Sequence, residues 1–320
     1  MKMFRLGFLP DDYFKFELDK NNHEEYMPTL HNYNKANLNG HANSVLINKI
    51  LFPTFLKEII KDIDRLHVID NLGYINEGEF ISTSDLPGNI ESLVEQLEYE
   101  DLIIKPAFGR KGKGLIYLSK PDEQYFINEK VCSVQKLKIK VNQLHNYVVQ
   151  NVFRQNHESN FINPDGFNSM RILTMIDPVT EKAFIPFAYH KFAVKEVGRT
   201  DSCSQGALSS SIHIESGELS QAIRLTKNGE KLKLDRHTDT DLLITGQKIH
   251  HWEEIKRAIL EMANRMPYMK YVGWDVIQSG KEVYVLEGNN GPSLNTPQLH
   301  IPFKNIPAAW SFYEYYNFIK

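Results

Sequence analysis

Gly273-Trp274-Asp275 followed by Glu287-Gly288-Asn289 constrains this chain more than any other pattern in it. Two β-rich runs carry three oxygen ligands at their ends, beside a Gly291-Pro292 loop. Hard divalent cations such as Mg2+ prefer carboxylate and amide oxygens, with waters and substrate phosphates completing the shell. An Asp…Glu-x-Asn set of this kind therefore reads as a nucleotide-metal site. It also sets a parity condition on the connection between the two runs. For Asp275 and Glu287 to face one cation, the loop around Ser279-Gly280 must hold an odd number of residues, because a two-residue turn sends them to opposite faces. The expected loop is Ser279-Gly280-Lys281.

Composition narrows the alternatives. The 320 residues, 42% hydrophobic and 24% charged, describe a soluble globular chain able to bury a core across two or three lobes. A formal charge of −3 gives no global attraction to polyanions, so nucleic acid or an anionic membrane would need a local patch, and none dominates. Apolar runs such as Leu102-Ile103-Ile104 fall far short of the ~20 residues that a membrane-spanning helix requires. The start, Met1 to Pro10, lacks a full apolar segment and a small-residue cleavage site, and reads as mature protein. Cys132 and Cys203, far apart, fit a reducing compartment, with cytoplasm the expectation.

Along the chain, Val45, Ile47, Ile50, Leu51, Phe55, Leu56 and Ile59 recur at helical spacing between Ser44 and Ile63, with Pro53 expected to kink or restart the helix. Thr83-Ser84-Asp85 supplies candidate caps for a helix through Ile90, Leu93, Val94 and Leu97. Leu102 to Pro106 and Leu115 to Leu118 read as the strands of a hairpin. Its loop gathers Gly109, Gly112 and Gly114 with Lys105, Arg110, Lys111 and Lys113. Such a loop either cradles phosphate through backbone N–H groups and cations or is a solvated basic turn. It is not a Walker A loop, since a strand and not a helix follows Gly114. Tyr147 to Phe153 is a strand that turns polar at Gln150 and Asn151, either an adenine-facing hinge or an ordinary strand end. In Asn168-Ser169-Met170-Arg171-Ile172-Leu173 the Arg lies inside an apolar strand and demands a partner, a phosphate or a structural carboxylate. Trp252 to Met266 has the spacing of a core helix, and the aromatic tail from Trp310 to Phe318 that of a packed C-terminal helix. Cys203 has no partner base in sight, and His237, His250 and His251 lack metal-ligand spacing.

In this order, Lys105-Pro106 with its glycine loop, the Val148-Val149-Gln150 hinge, Asn168-x-x-Arg171 and the Asp275…Glu287-x-Asn289 set resemble the motifs of ATP-grasp enzymes. Within that superfamily the likeness is to the sugar-transfer-associated group and its relatives resembling α-L-glutamate ligases, from about Asn48 to Pro302. The resemblance implies an α+β ATP-grasp fold: two α+β lobes sandwiching ATP, with a reduced N-terminal lobe. It divides the chain into 1–80 (N-terminal lobe), 81–150 (small lobe with the phosphate-covering hairpin) and 151–320 (large lobe with metal and substrate site). ATP and Mg2+ are the implied cofactors, and the implied activity is a carboxylate–amine ligation through an acylphosphate, connected with surface polysaccharide or its precursors.

By position, Lys49 and Lys105 become phosphate-binding lysines, and Gly109, Arg110, Lys111, Gly112, Lys113 and Gly114 the mobile phosphate cover. Gln150, Asn151 and Phe153 become the adenine hinge, where the family commonly shows a Glu. Arg171, Lys105 and Lys191 are the implied catalytic cations, and Asp275, Glu287 and Asn289 the metal ligands. Asn48 stands where an Asp is usual, and His190-Lys191 and Gly206-Ala207 where relatives often carry an Arg and a Gly-Gly pair. Lys191 meets either the γ-phosphate or an acidic substrate, or is a solvated strand lysine. Small-molecule or saccharide acids and amines are the implied partners, with no nucleic acid and no membrane span, and self-association is compatible with the sequence. A phosphotransferase on the same scaffold and a non-catalytic nucleotide-binding protein are the alternatives.

Overall fold

Pro53 restarts a helix rather than bending one. A computed structural model describes residues 2–109, 113–164, 166–198, 201–226 and 229–319. In it the run from Ser44 becomes two helices, Asn43–Ile47 and Leu51–Ile60. Pro53 lies in the first turn of the second, where its missing N–H sacrifices no helical bond. Asn48 Oδ1 accepts from the N–H groups of Ile50 at 2.9 Å and Leu51 at 3.2 Å, and so caps that helix. Downstream, the helix is Ile90–Gln96, and its cap is Asn89 instead of residues 83–85: Oδ1 accepts from the Ser92 N–H at 2.8 Å.

The chain forms two compact units. One takes the residues up to Asn43, Ile59–His67 and Gln155 onward; the other takes Ser44–Glu58 and Val68–Arg154. Residues 44–58 and 68–80, from the expected N-terminal lobe, thus lie in one unit with the glycine-loop hairpin. Strand β1 (Leu66–Val68) belongs to the larger of two sheets. The smaller sheet holds β2 (Gly73–Asn76), β3 (Glu79–Ser82), β4 (Leu102–Pro106), β5 (Ile116–Ser119), β6 (Tyr125–Ile127), β7 (Lys130–Cys132) and β8 (Tyr147–Asn151), in the order β3-β2-β8-β4-β5-β6-β7. The larger holds β9 (Asn168–Ile176), β10 (Ala183–Phe192), β11 (Leu208–Ile212), β12 (Ala222–Leu225), β13 (Lys231–Leu234), β14 (Tyr271–Ser279) and β15 (Glu282–Asn290). Its order is β1-β15-β14-β9-β10-β11-β12-β13.

Alternation along the strands gives each sheet an apolar face. In the smaller unit Leu102, Ile104, Ile116, Leu118 and Val149 join Leu93 of helix Ile90–Gln96 and Leu137 of helix Val134–Asn142 in one core. In the larger unit helix Trp252–Asn264 buries Trp252, Ile255, Ile259 and Met262, the stripe expected from its spacing. The C-terminal helix Pro307–Tyr315 buries Phe312 and Tyr313, which cluster with Tyr271 and Phe303. Among the described residues no helix is long and apolar enough to cross a membrane.

The larger unit buries titratable groups, His190 among them. His190 stacks on Phe192 with ring centroids 4.3 Å apart, and its Nδ1 has no hydrogen-bond partner among the described residues. Burial pushes its pKa down to about 3. Between the ordinary histidine value and that figure the unfolded chain binds a proton that the folded chain refuses, so stability falls as pH falls across the window. His190→Phe removes the term. Its stability relative to the parent is expected to improve by up to about 1.4 kcal/mol per pH unit on acidification through the window, read by urea unfolding. A difference independent of pH would contradict this.

Candidate functional site

Strand pairing lays a row of side chains across the larger sheet. Arg171 of β9 stands opposite Asp275 of β14, Asp275 opposite Glu287 of β15, and Tyr189 of β10 opposite Arg171. Directly opposed residues share a face. The turn is not the expected Ser279-Gly280-Lys281 loop, because Ser279 pairs with Glu282 and leaves only Gly280-Lys281 between the strands. Parity is restored by a bulge in the strand: Asp275 pairs with Glu287 but Val276 pairs with Val285, so Leu286 is the extra residue. The bulge thereby puts both carboxylates on one face, with Asn289 two residues beyond, opposite Gly273.

Gly273 is required by close approach. A Cβ there would lie 2.8 Å from Pro292 Cβ and 3.1 Å from Arg171 Cδ. Without it, the Gly291-Pro292 loop and the arginine pack directly against the strand backbone.

Four N–H donors converge on Asp275. Its Oδ1 accepts from Arg171 Nε at 2.6 Å and Lys191 Nζ at 3.1 Å; its Oδ2 accepts from Arg171 Nη2 at 2.9 Å and Asn289 Nδ2 at 3.5 Å. Asn289 Nδ2 also lies 3.2 Å from Glu287 Oε1. Lys191 Nζ reaches Asp201 Oδ2 at 3.4 Å, and Ser169 Oγ donates to the same oxygen. Burial opposes the ionisation of Asp275, but Arg171 and Lys191 outweigh it and hold the carboxyl well below the usual carboxylate range. Burial also works against the two cations, and it too is outweighed: Asp275 keeps Arg171, and Asp201 with Asp275 keeps Lys191, above their ordinary values. Of the two partners open to Arg171 from sequence, the structure provides the carboxylate, in a two-bond fork.

Two carboxylates and a side-chain amide form a hard-oxygen donor set suited to a divalent cation. Among the described residues no three His, Cys, Asp or Glu side chains gather in ligand spacing. An ion here would therefore draw on Asn289 and on non-protein ligands. Rotating the Asn289 amide would offer Oδ1 in place of Nδ2 with no movement of the backbone.

In the smaller unit, Lys49 Nζ donates to Gly109 O at 2.8 Å, and its backbone N–H to Ala107 O at 3.1 Å. Asn71 Nδ2 donates to Lys49 O at 2.8 Å, and Gln150 Nε2 to Asn71 Oδ1 at 3.0 Å. Lys49, the glycine loop and Gln150 are thus joined through Asn71. No motif marks Asn71; Asp70-Asn71-Leu72-Gly73 reads only as a turn. β8 pairs Val148 with Lys105 and Gln150 with Ile103, which puts Lys105 and Gln150 on the face opposite the Leu102 and Ile104 core. Asn151 lies on the other face and accepts from Gln96 Nε2 at 3.1 Å. Phe153 follows the strand and is half-buried. Lys113 and Gly114 close the loop; Gly114 has φ +76, and a Cβ there would come within 3.0 Å of Pro106 Cγ. Arg110, Lys111 and Gly112 lie outside the described residues.

Ser169 and Asp201 also escaped the sequence reading as site residues, although period-2 alternation puts Ser169 on the Arg171 face. The part-buried Cys203 thiol is pushed up to about 12 by desolvation, against the pull of Lys191, which leaves it protonated and a poor nucleophile. His237 Nε2 donates to the backbone carbonyl of Ala193 at 3.0 Å, as a packing residue would.

The solved structures similar in fold include N5-carboxyaminoimidazole ribonucleotide synthetase (purK) in an ADP complex, at 12% identity and a TM-score of 0.43, over 83% of this chain and 52% of that one. D-alanine–D-alanine ligase from Bacillus anthracis matches at 12% identity and 0.39, over 87% and 70%. Biotin carboxylase from Campylobacter jejuni, in a βγ-ATP complex, matches at 10% and 0.44, over 84% and 47%. The chain thus spans about half the length of the first and third. No curated protein sequence matches it. The family description that matches is sugar-transfer associated ATP-grasp, over residues 30–301, most of the chain. With its two mixed α+β units, the chain belongs to the sugar-transfer associated ATP-grasp family.

Proposed function

We propose that this chain is an ATP- and Mg2+-dependent ligase that joins a carboxylate to an amine or another nucleophile through an acylphosphate, in the modification of a surface polysaccharide or its precursor. The observation that carries the reading is the row Glu287, Asp275, Arg171 on one sheet face, with Asn289 and Lys191 beside it. The polysaccharide connection rests on the family's description.

Phosphoryl transfer to a carboxylate brings two anions together, so its barrier is met mainly by alignment and by charge stabilisation. Asp275, Glu287 and Asn289 would hold Mg2+, which when bound neutralises phosphate oxygens. Arg171 is fixed in orientation by its two bonds to Asp275 and keeps further N–H donors for a phosphate oxygen. Lys191 adds a second buried positive charge on that face, available to a phosphate or to an acidic substrate. On the hairpin unit Lys49 and Lys105 supply cations, the Gly109 to Gly114 loop supplies backbone N–H groups, and Gln150 and Phe153 supply the adenine contacts, with Asn151 left only its backbone for that role because its side chain faces Gln96. A protein nucleophile has no part in this chemistry.

Lys105→Ala is expected to weaken ATP affinity about tenfold, read by calorimetric titration with a nonhydrolysable analogue. An unchanged affinity would remove its phosphate role. The activity itself is tested by incubating the protein with ATP, Mg2+ and panels of acids and amines, measuring ADP and phosphate, and weighing the products. A condensed product with free phosphate supports ligation. A product heavier by one phosphoryl group, with no free phosphate, would replace it with a phosphotransferase.

A further inference from the structure

Lys191 is held by two carboxylates at once. Its Nζ lies 3.1 Å from Asp275 Oδ1 and 3.4 Å from Asp201 Oδ2, and the lysine and both acids are buried. The two acids are not equivalent. Asp275 is already satisfied by the Arg171 fork and by Asn289, whereas Asp201 has Lys191 as its cation and Ser169 Oγ on the same oxygen.

A divalent cation that takes Asp275 must share its carboxylate with the lysine or displace the lysine from it, and two cations on one buried carboxylate repel strongly away from solvent. A buried ammonium released without a partner is more costly still. Asp201 removes that cost. It stands within reach of Nζ before any movement, and Ser169 fixes the accepting oxygen.

Resting on the reading of Asp275, Glu287 and Asn289 as metal ligands, we propose that Asp201 is a positioning residue: the reserve counter-ion onto which Lys191 shifts when the metal takes Asp275. Lys191 then acts as a resident placeholder for the metal, and Asp201 acts on the metal only through Lys191.

The proposal is tested by titrating Mn2+ into the protein, followed by electron paramagnetic resonance, with and without β,γ-methylene-ATP and with circular dichroism to verify folding. Lys191→Met is expected to tighten Mn2+ binding to the nucleotide-free protein about tenfold. Asp201→Asn is expected to weaken Mn2+ binding in the nucleotide complex about tenfold, because the lysine no longer has an alternative to Asp275. In the Lys191→Met background the same Asp201→Asn change is expected to cost less than about twofold, a coupling that separates exchange from simple loss of negative charge. An equal cost in both backgrounds, or no cost in either, would overturn the exchange while leaving the metal reading standing. Failure of the wild-type protein to bind Mn2+ even with the nucleotide analogue would overturn the metal reading and the exchange with it.

Discussion

Glu287→Gln is expected to lower ATP turnover at saturating nucleotide by at least about a hundredfold, with urea unfolding unchanged within about 0.5 kcal/mol. The side chain is half-buried, stands directly opposite Asp275 and lies 3.2 Å from Asn289 Nδ2. An amide of the same shape keeps that neighbourhood but loses the negative charge that Glu287 would bring to the metal. Function and fold therefore separate at this position. Measured side by side, undiminished turnover would remove Glu287 from the metal set, and a large loss of stability would show a structural role instead.

Asp275→Asn is expected to fail in both respects. It should abolish turnover and also destabilise the fold by about 3 kcal/mol, because it leaves the largely buried Arg171 guanidinium without its carboxylate. Lys191 is cushioned by Asp201; among the described residues Arg171 has no second carboxylate in a direct bond. The loss has a pH signature. A carboxyl held below its unfolded range contributes stability that is fully present above that range and lost as pH falls toward its folded value. The gap between parent and variant should accordingly narrow on acidification below the usual carboxylate range, read by urea unfolding at a series of pH values. A variant as stable as the parent at neutral pH would contradict the charge balance described for the cluster.

The site was legible in sequence to the extent that it depends on spacing along a strand. Asp275, Glu287 and Asn289 share a face as their motif demanded, and the apolar stripe of Trp252 to Met266 forms the helix that its spacing indicates. What sequence misplaced was the device that satisfies parity. A turn and a bulge each shift register by one residue, and Leu286 carries no local mark to distinguish it from an ordinary strand residue. Arg171 shows a second limit. An arginine in an apolar strand requires a partner, but whether that partner is a ligand or a carboxylate is decided by the register of β9 against β14, a separation of about a hundred residues. Asn71, Ser169 and Asp201 were missed for a related reason: short polar side chains in turns and strands acquire meaning only from what the fold brings beside them.

The central claim, that Asp275, Glu287 and Asn289 gather a metal-bound triphosphate, is tested most directly by diffraction from crystals grown with Mn2+ and a nonhydrolysable ATP analogue, using the anomalous signal of manganese. The expected result is a peak within about 2.3 Å of oxygens from Asp275 and Glu287, with analogue phosphate oxygens completing the shell. A nucleotide-bound peak with neither carboxylate in its shell would contradict the account.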